Sequence, residues 1–264
     1  MDDPLHEWVE RATRLHGPDS TVALHARVRL AEVAYAQEQF ETAARVCREI
    51  LQRQTARLGE CHMVCHAART TLAMALARLG GTSEPAELYL RAIECARQKQ
   101  PGSILLLITM SDALRYLDRD ERAVEGEALA REVSAEMRKY AGGHAEATFD
   151  AEVYLAGFLS MQGRFDEAEA AFQTLSGPEL SAMPARSRAR LRLIGAAHLR
   201  RRGHFEQAEQ QLRQVVAIVQ DIRLGTWDDL PDDIILGFVE LYHAWGKPVE
   251  HEQYRRLREE PGPH

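Results

Sequence analysis

Gly163-Arg164-Phe165-Asp166-Glu167-Ala168 reads as a helix stop followed at once by a helix start. Glycine ends a helix because it accepts the left-handed backbone conformation at little steric cost. The acidic pair then faces the positive end of the next helix dipole. The phenylalanine can plug the open end of a hairpin, and the alanine suits a close crossing of its two helices. The unit returns as Gly203-His204-Phe205-Glu206-Gln207-Ala208 and, more weakly, as Glu38-Gln39-Phe40-Glu41-Thr42-Ala43. Two degenerate copies are Gly81-Thr82-Ser83-Glu84-Pro85-Ala86 and Asp118-Arg119-Asp120-Glu121-Arg122-Ala123, and a last one opens Gly246-Lys247-Pro248. Counted from their first residues, the turns are 43, 37, 45, 40 and 43 residues apart, 41.6 on average. One helix hairpin fits that period, and self-similarity of this length marks a repeat architecture.

The helices ahead of the turns agree. Seven residues before each turn lie Ala31, Met74, Ser111, Ala156, Ala196 and Val239. One residue earlier lie Leu30, Ala73, Met110, Leu155, Gly195 and Phe238. Four before the turn lie Ala34, Ala77, Leu114, Leu159, Leu199 and Tyr242. The spacing is helical and defines a buried stripe. Any one amphipathic helix would show such a stripe; six in phase point to a repeat. The chain therefore divides into a leading helix (1–20), hairpins at 21–60, 61–101, 102–142, 143–182 and 183–226, and a short closing repeat (227–264) in a single array.

Composition fits. Alanine, leucine, arginine and glutamate dominate, and aromatics make up 6% of 264 residues, as in helices rather than sheets. That length is long for one core but natural where each repeat packs only on its neighbours. A net charge of -7 argues against sequence-independent binding to nucleic acid. Met1-Asp2-Asp3-Pro4 does not read as a secretory signal, and the apolar run Ile104 to Met110 is too short to span a bilayer, so no membrane partner is expected. Cys47, Cys61, Cys65 and Cys95 make no disulfide framework in a chain this long and read as free thiols in a reducing cytoplasm.

With these turns and slots, the chain resembles the tetratricopeptide (TPR) repeats of the longer, kinesin-light-chain variety. Loops similar to that variety's Gly-Pro-Asp-His-Pro opening are Gly17-Pro18-Asp19-Ser20, Leu58-Gly59-Glu60-Cys61-His62 and Tyr140-Ala141-Gly142-Gly143-His144. The best match is Tyr154 to Leu175, and the resemblance runs from about Leu5 to Arg258. The ending Leu241-Tyr242-His243-Ala244-Trp245-Gly246-Lys247-Pro248 resembles the last repeat of TPR arrays attached to bacterial serine/threonine protein kinases. The kinase motifs themselves are absent from this sequence. The resemblance implies an all-α fold, a right-handed α-solenoid of antiparallel helix hairpins (a TPR superhelix). It implies a protein–protein interaction scaffold or regulatory module in bacterial signalling, not an enzyme. A peptide-responsive sensor with its output domain elsewhere is the second reading, and an enzyme of unrecognised type the third.

In such arrays the first helices line a concave groove that receives the partner. The resemblance places the slot three residues before each turn there: Tyr35, Arg78, Arg115, Ser160, Arg200 and His243, with Tyr116, Met161 and Arg201 beside them. Six before the turn come Glu32, Ala75, Asp112, Gly157, Ala197 and Glu240. Arginine's planar fork suits carboxylates, so an acidic peptide or protein is the expected partner. The plainer alternative pairs Asp112 with Arg115 and leaves the other arginines solvated. The Lys and Asn clamp for chaperone tails is not available, since the chain has no Asn.

Other clusters are weaker. Cys61-His62-x-x-Cys65-His66 sets two i,i+4 pairs that could hold zinc, yet it lacks zinc-ribbon spacing and fits small buried thiols at a loop-to-helix junction. No metal or cofactor is expected. His144, His198, His204, His243 and His251 have no Ser or Cys nucleophile placed beside them by any motif. Asp228-Asp229 and Asp232-Asp233 lack calcium-loop spacing, and Asp232 or Asp233 reads as a helix start. Arg186, Arg188, Arg190, Arg192 and the run Arg200-Arg201-Arg202 could contact nucleic acid or an acidic partner, but the favoured reading is that many of them coat the outside of the fifth hairpin, with their stems over apolar surface.

Overall fold

The computed structural model describes residues 4–81, 83–141, 146–220 and 230–259; His144 and Asp228-Asp229 lie outside them. Every regular element among the described residues is helical. One compact unit, Met1–Asp120, holds α1 (Pro4–His16), α2 (Thr21–Ala36), α3 (Phe40–Leu58), α4 (Met63–Arg78), α5 (Ser83–Lys99) and α6 (Ile104–Arg119). The second, Glu121–His264, holds α7 (Ala123–Ala141), α8 (Glu146–Met161), α9 (Phe165–Leu175), a 3-10 turn (Pro178–Ala182), α10 (Ala185–Arg201), α11 (Phe205–Gln220), α12 (Leu230–Trp245) and α13 (Pro248–Glu259). The division falls inside 102–142, the stretch that turn spacing alone reads as one hairpin.

Local chemistry sets the helix starts. Ser20 and Ser103 accept hydrogen bonds from the backbone N–H groups of Ala23 and Leu106, both at 3.2 Å, and so satisfy free donors of α2 and α6. His62 does the same for α4, its Nδ1 accepting from Val64 N–H at 3.2 Å. Asp232 and Asp233 sit in the first turn of α12.

The helix stops correct the sequence register. While Gly17, Gly59 and Gly102 take positive φ in the loops between hairpins, the residues in the left-handed conformation within the hairpin turns are Glu38 (φ 61°), Gly80 (84°), Glu121 (53°), Gly163 (74°), Gly203 (77°) and Gly246 (70°). After five of these six, the next N–H reaches back to a carbonyl five residues earlier: Gln39 to Ala34 at 2.8 Å, Gly81 to Leu76 at 2.8 Å, Arg164 to Leu159 at 3.0 Å, His204 to Leu199 at 2.9 Å and Lys247 to Tyr242 at 3.0 Å. This closure satisfies carbonyls that the helix end leaves open. The second turn therefore pivots on Gly80, not Gly81, and the third on Glu121, not Asp118. The steps become 42, 41, 42, 40 and 43 residues, far more even than the motif spacing.

Recounting sharpens the stripe. Four residues before each pivot lie Ala34, Leu76, Leu117, Leu159, Leu199 and Tyr242, of which all but Leu199 are buried. Seven before lie Ala31, Ala73, Leu114, Ala156, Ala196 and Val239. Met74 and Ser111, the sequence choices for that row, are only half-buried. Each unit has its own core. Leu24, Val28, Ile50 and Leu72 lie in the first, and Leu212, Val215, Phe238 and Leu241 in the second. Full burial of one such side chain is worth about 1.5–3 kcal/mol. The small-residue slot five residues behind the pivots is closed tightly: Ala43, Ala168 and Ala208 have no exposed surface.

Candidate partner-binding face

The corrected register moves the expected groove residues. Three before the pivots lie Tyr35, Ala77, Asp118, Ser160, Arg200 and His243. Arg78 and Arg115 leave that row, so it holds no arginine ladder. In the first unit, Tyr35 is buried and packs edge-on against Phe40, ring centroids 5.2 Å apart. The Arg78 guanidinium lies 5.0 Å over the same Phe40 ring. The Arg115 guanidinium lies 5.2 Å from the ring of Tyr116, which is itself buried and stacked on Tyr89 at 4.8 Å. Burial pushes the Tyr89 phenol well above its ordinary range. Tyr35 and Tyr116 thus belong to the interior and offer no surface to a partner, while Arg78 and Arg115 are half-buried and held over aromatic faces.

In the second unit, Ser160 is buried and Met161 and Arg201 are half-buried. Arg200 donates to Glu240 at 2.7 Å, joining α10 to α12. His243 is exposed, its ring 5.4 Å from His251. Of the arginines read as an outer coat, Arg186 and Arg202 are exposed, but Arg190 and Arg192 are not part of one. Arg190 is mostly covered, paired with Asp150 and 5.5 Å over Tyr154, and Arg192 donates to Gln211 and Gln214.

What does lie open on the first helices of the first unit was not anticipated. Val22, Met63 and Ile104 stand at the start of α2, α4 and α6 with 46%, 57% and 68% of their surface exposed, and Ile108 follows one turn along α6. The three are spaced 41 residues apart, so the repeat period itself carried the signal.

The Cys/His cluster is dismantled by the fold. Cys61 forms a disulfide with Cys95 of α5, contrary to four free thiols. His62 is the cap of α4, Cys65 is buried in the core, and His66 Nε2 lies 3.3 Å from Thr109 Oγ1 of α6. Cys47 is also buried, and burial together with Glu32 pushes its thiol up to about 12. Among the described residues no group of three or more His, Cys, Asp or Glu is placed to hold a metal ion.

A serine does stand beside one histidine. His198 Nδ1 is 2.9 Å from Ser160 Oγ, and its Nε2 is 3.2 Å from Glu169 Oε2. The chain Ser–His–Glu has the order of a nucleophilic triad but the opposite orientation. Ser160 and His198 are 1% and 2% exposed, while the acid is the member that reaches solvent. No substrate carbonyl can approach a hydroxyl so placed. Burial lowers the His198 pKa against the pull of Glu169, and the cluster serves as a satisfied polar contact between α8, α9 and α10.

Among the described residues no helix is long and apolar enough to cross a membrane. No family model matches the sequence, and no curated protein is recognisably similar to it. Solved structures do match in fold. The kinesin-light-chain-type TPR-like repeats of a Podosopora anserina protein share 19% identity over 74% of this chain and 93% of theirs, with a TM-score of 0.57. BtubC (BKLC) from P. vanneervenii shares 17% identity over 84% and 92%, with a TM-score of 0.56. PilW, a type IV pilus biogenesis factor, shares 16% over 90% and 94%, with a TM-score of 0.51. At these identities the likeness is one of architecture. The chain has the all-α solenoid fold of TPR-like repeat proteins, similar to that of kinesin-light-chain-type repeats.

Proposed function

We propose that the chain is a non-catalytic interaction module, a single TPR array that holds an acidic peptide or protein segment against its first helices. The observation that carries this is the row Val22, Met63, Ile104 and Ile108, large apolar side chains left open at a repeat spacing. Val22, Met63 and Ile104 take equivalent places at the starts of α2, α4 and α6, and that regularity favours a shared contact role. Within the first unit, Arg78 and Arg115 supply the positive charge for the acidic part of the partner. A role in bacterial signalling rests on the kinase-associated resemblance of the ending. The Cys61–Cys95 disulfide favours an oxidising compartment over the cytoplasm.

The test compares affinity purification from the source cells with wild-type protein and with Ile104→Glu/Ile108→Glu. One partner lost in the variant, and recovered with a mock substitution at exposed Arg213, supports the reading. Identical partner sets overturn it. A parallel Arg78→Glu/Arg115→Glu variant tests the acidic character of the partner.

A further inference from the structure

In the second unit, α9, α10 and α11 enclose a cleft of about 550 Å³. Ligand pockets commonly run from about 300 to 1,000 Å³. Its origin is local. α9 has 11 residues where α3 and α7 have 19, because Gly177-Pro178 ends it and a 3-10 turn takes over. The short helix leaves the flank of α11 uncovered. The floor is open as well. Gly195 lies eight residues before its pivot, where the other repeats carry Leu30, Leu72, Ala113, Leu155 and Phe238. An added Cβ on Gly195 would meet nothing within 4 Å.

The walls are of two kinds. Phe172, Leu180, Leu191 and Leu199 provide apolar surface, and Gln173, Gln207, Gln210 and Gln211 provide amides. The side-chain amides of Gln207 and Gln210 make no hydrogen bond among the described residues. Arg192 stands in the same wall, and both its bonds go to neutral amide oxygens, Gln211 at 3.0 Å and Gln214. Glu169 and His198 line the cleft too, and Glu169 is already engaged by His198 at 3.2 Å and by Arg202 at 3.0 Å. Among the described residues Arg192, which stands next to unfilled apolar space, therefore has no carboxylate partner, although Glu169 lines the same cleft.

We propose that this cleft binds the C-terminal end of a peptide whose last residue is large and apolar. That side chain fills the space above Gly195. The terminal carboxylate takes the Arg192 fork in place of the two glutamines. Gln207 and Gln210 meet the peptide backbone, whose N–H and C=O groups a primary amide matches in either sense. The site lies on the second-helix side of α10 and is separate from the face proposed above.

The probes are N-acetylated hexapeptides ending in Leu or Phe, each as free acid and as C-terminal amide, titrated into the full chain by NMR. The free acids are expected to give saturable shifts at the side-chain amides of Gln173, Gln207, Gln210 and Gln211. Amidation or Arg192→Gln should weaken binding at least tenfold, and Gly195→Leu should abolish it. Should Gly195→Leu not fold, Arg192→Gln alone decides. Absence of a saturable shift at millimolar peptide overturns the proposal, as does equal affinity for acid and amide. Binding that survives both cleft variants but is lost in Ile104→Glu/Ile108→Glu also overturns it, and assigns the peptide to the first-helix face.

Discussion

The Phe158 ring fills the space that a side chain on Gly126 would need: an ideal Cβ there would lie 2.3 Å from both Cε1 and Cζ. Gly126 stands five residues after Glu121, the place that Ala43, Ala168 and Ala208 hold behind their own pivots. In α7 even a methyl group is too large, since Phe158 is fully buried against it.

Gly126→Ala is therefore expected to destabilise the second unit by about 1–3 kcal/mol, the usual cost of overpacking a filled core. Gly195→Ala should do the reverse, adding about 0.5–1 kcal/mol, because it replaces a helical glycine that faces open space. Urea unfolding of the two variants beside wild type measures both. Equal stabilities would mean that Phe158 does not sit where the structure has it.

The pivots offer a second test. Glu38 and Glu121 hold positive φ without being glycine, which costs about 1–2 kcal/mol per residue. Glu121→Gly should raise the melting temperature. Asp118→Gly, inside α6, should lower it, since glycine weakens a helix. The opposite pair of signs would restore the register read from the motif alone.

Acid should act through Glu127. Burial raises its carboxyl, but hydrogen bonds from Arg131, Gln162 and Arg164 outweigh that and hold it at about 2 against an ordinary 4.5. A carboxyl lowered by folding contributes stability that is present above its unfolded value and lost as pH falls through the folded one. Here the loss runs from about pH 4.5 down to about 2. Glu127→Gln should melt at a lower temperature near neutrality and show a shallower decline across that window. A wild-type slope in the variant would mean that other carboxylates carry the acid sensitivity.

The Cys61–Cys95 bridge, between residues 34 apart, should contribute about 3–4 kcal/mol by restricting the unfolded chain. Alkylation in denaturant without reductant should modify two cysteines, Cys47 and Cys65, and four after reduction. Four without reductant would show that the bond is not formed.

Sequence alone determined the helices, their hairpin order and their period, because these follow from interactions within a few residues. Gly163, Gly203 and Gly246 accept the left-handed turn by having no side chain, and the acidic residues after Phe165 and Phe205 mark the helix starts. Where the pivot is a glutamate the signal vanishes: nothing in Glu121 marks it off from Asp118, so the third turn was misplaced by three residues. Such a slip matters because each residue turns the helix by about 100°. It is why the motif register puts Arg78 and Arg115 in one row with Arg200, whereas Tyr35 keeps its place in the row and is buried because its ring packs against Phe40. The Cys61–Cys95 bond, the Ser160–His198 contact and the cleft over Gly195 join residues of different helices. Only tertiary packing decided those, since which side chains meet across two helices depends on the phase of both.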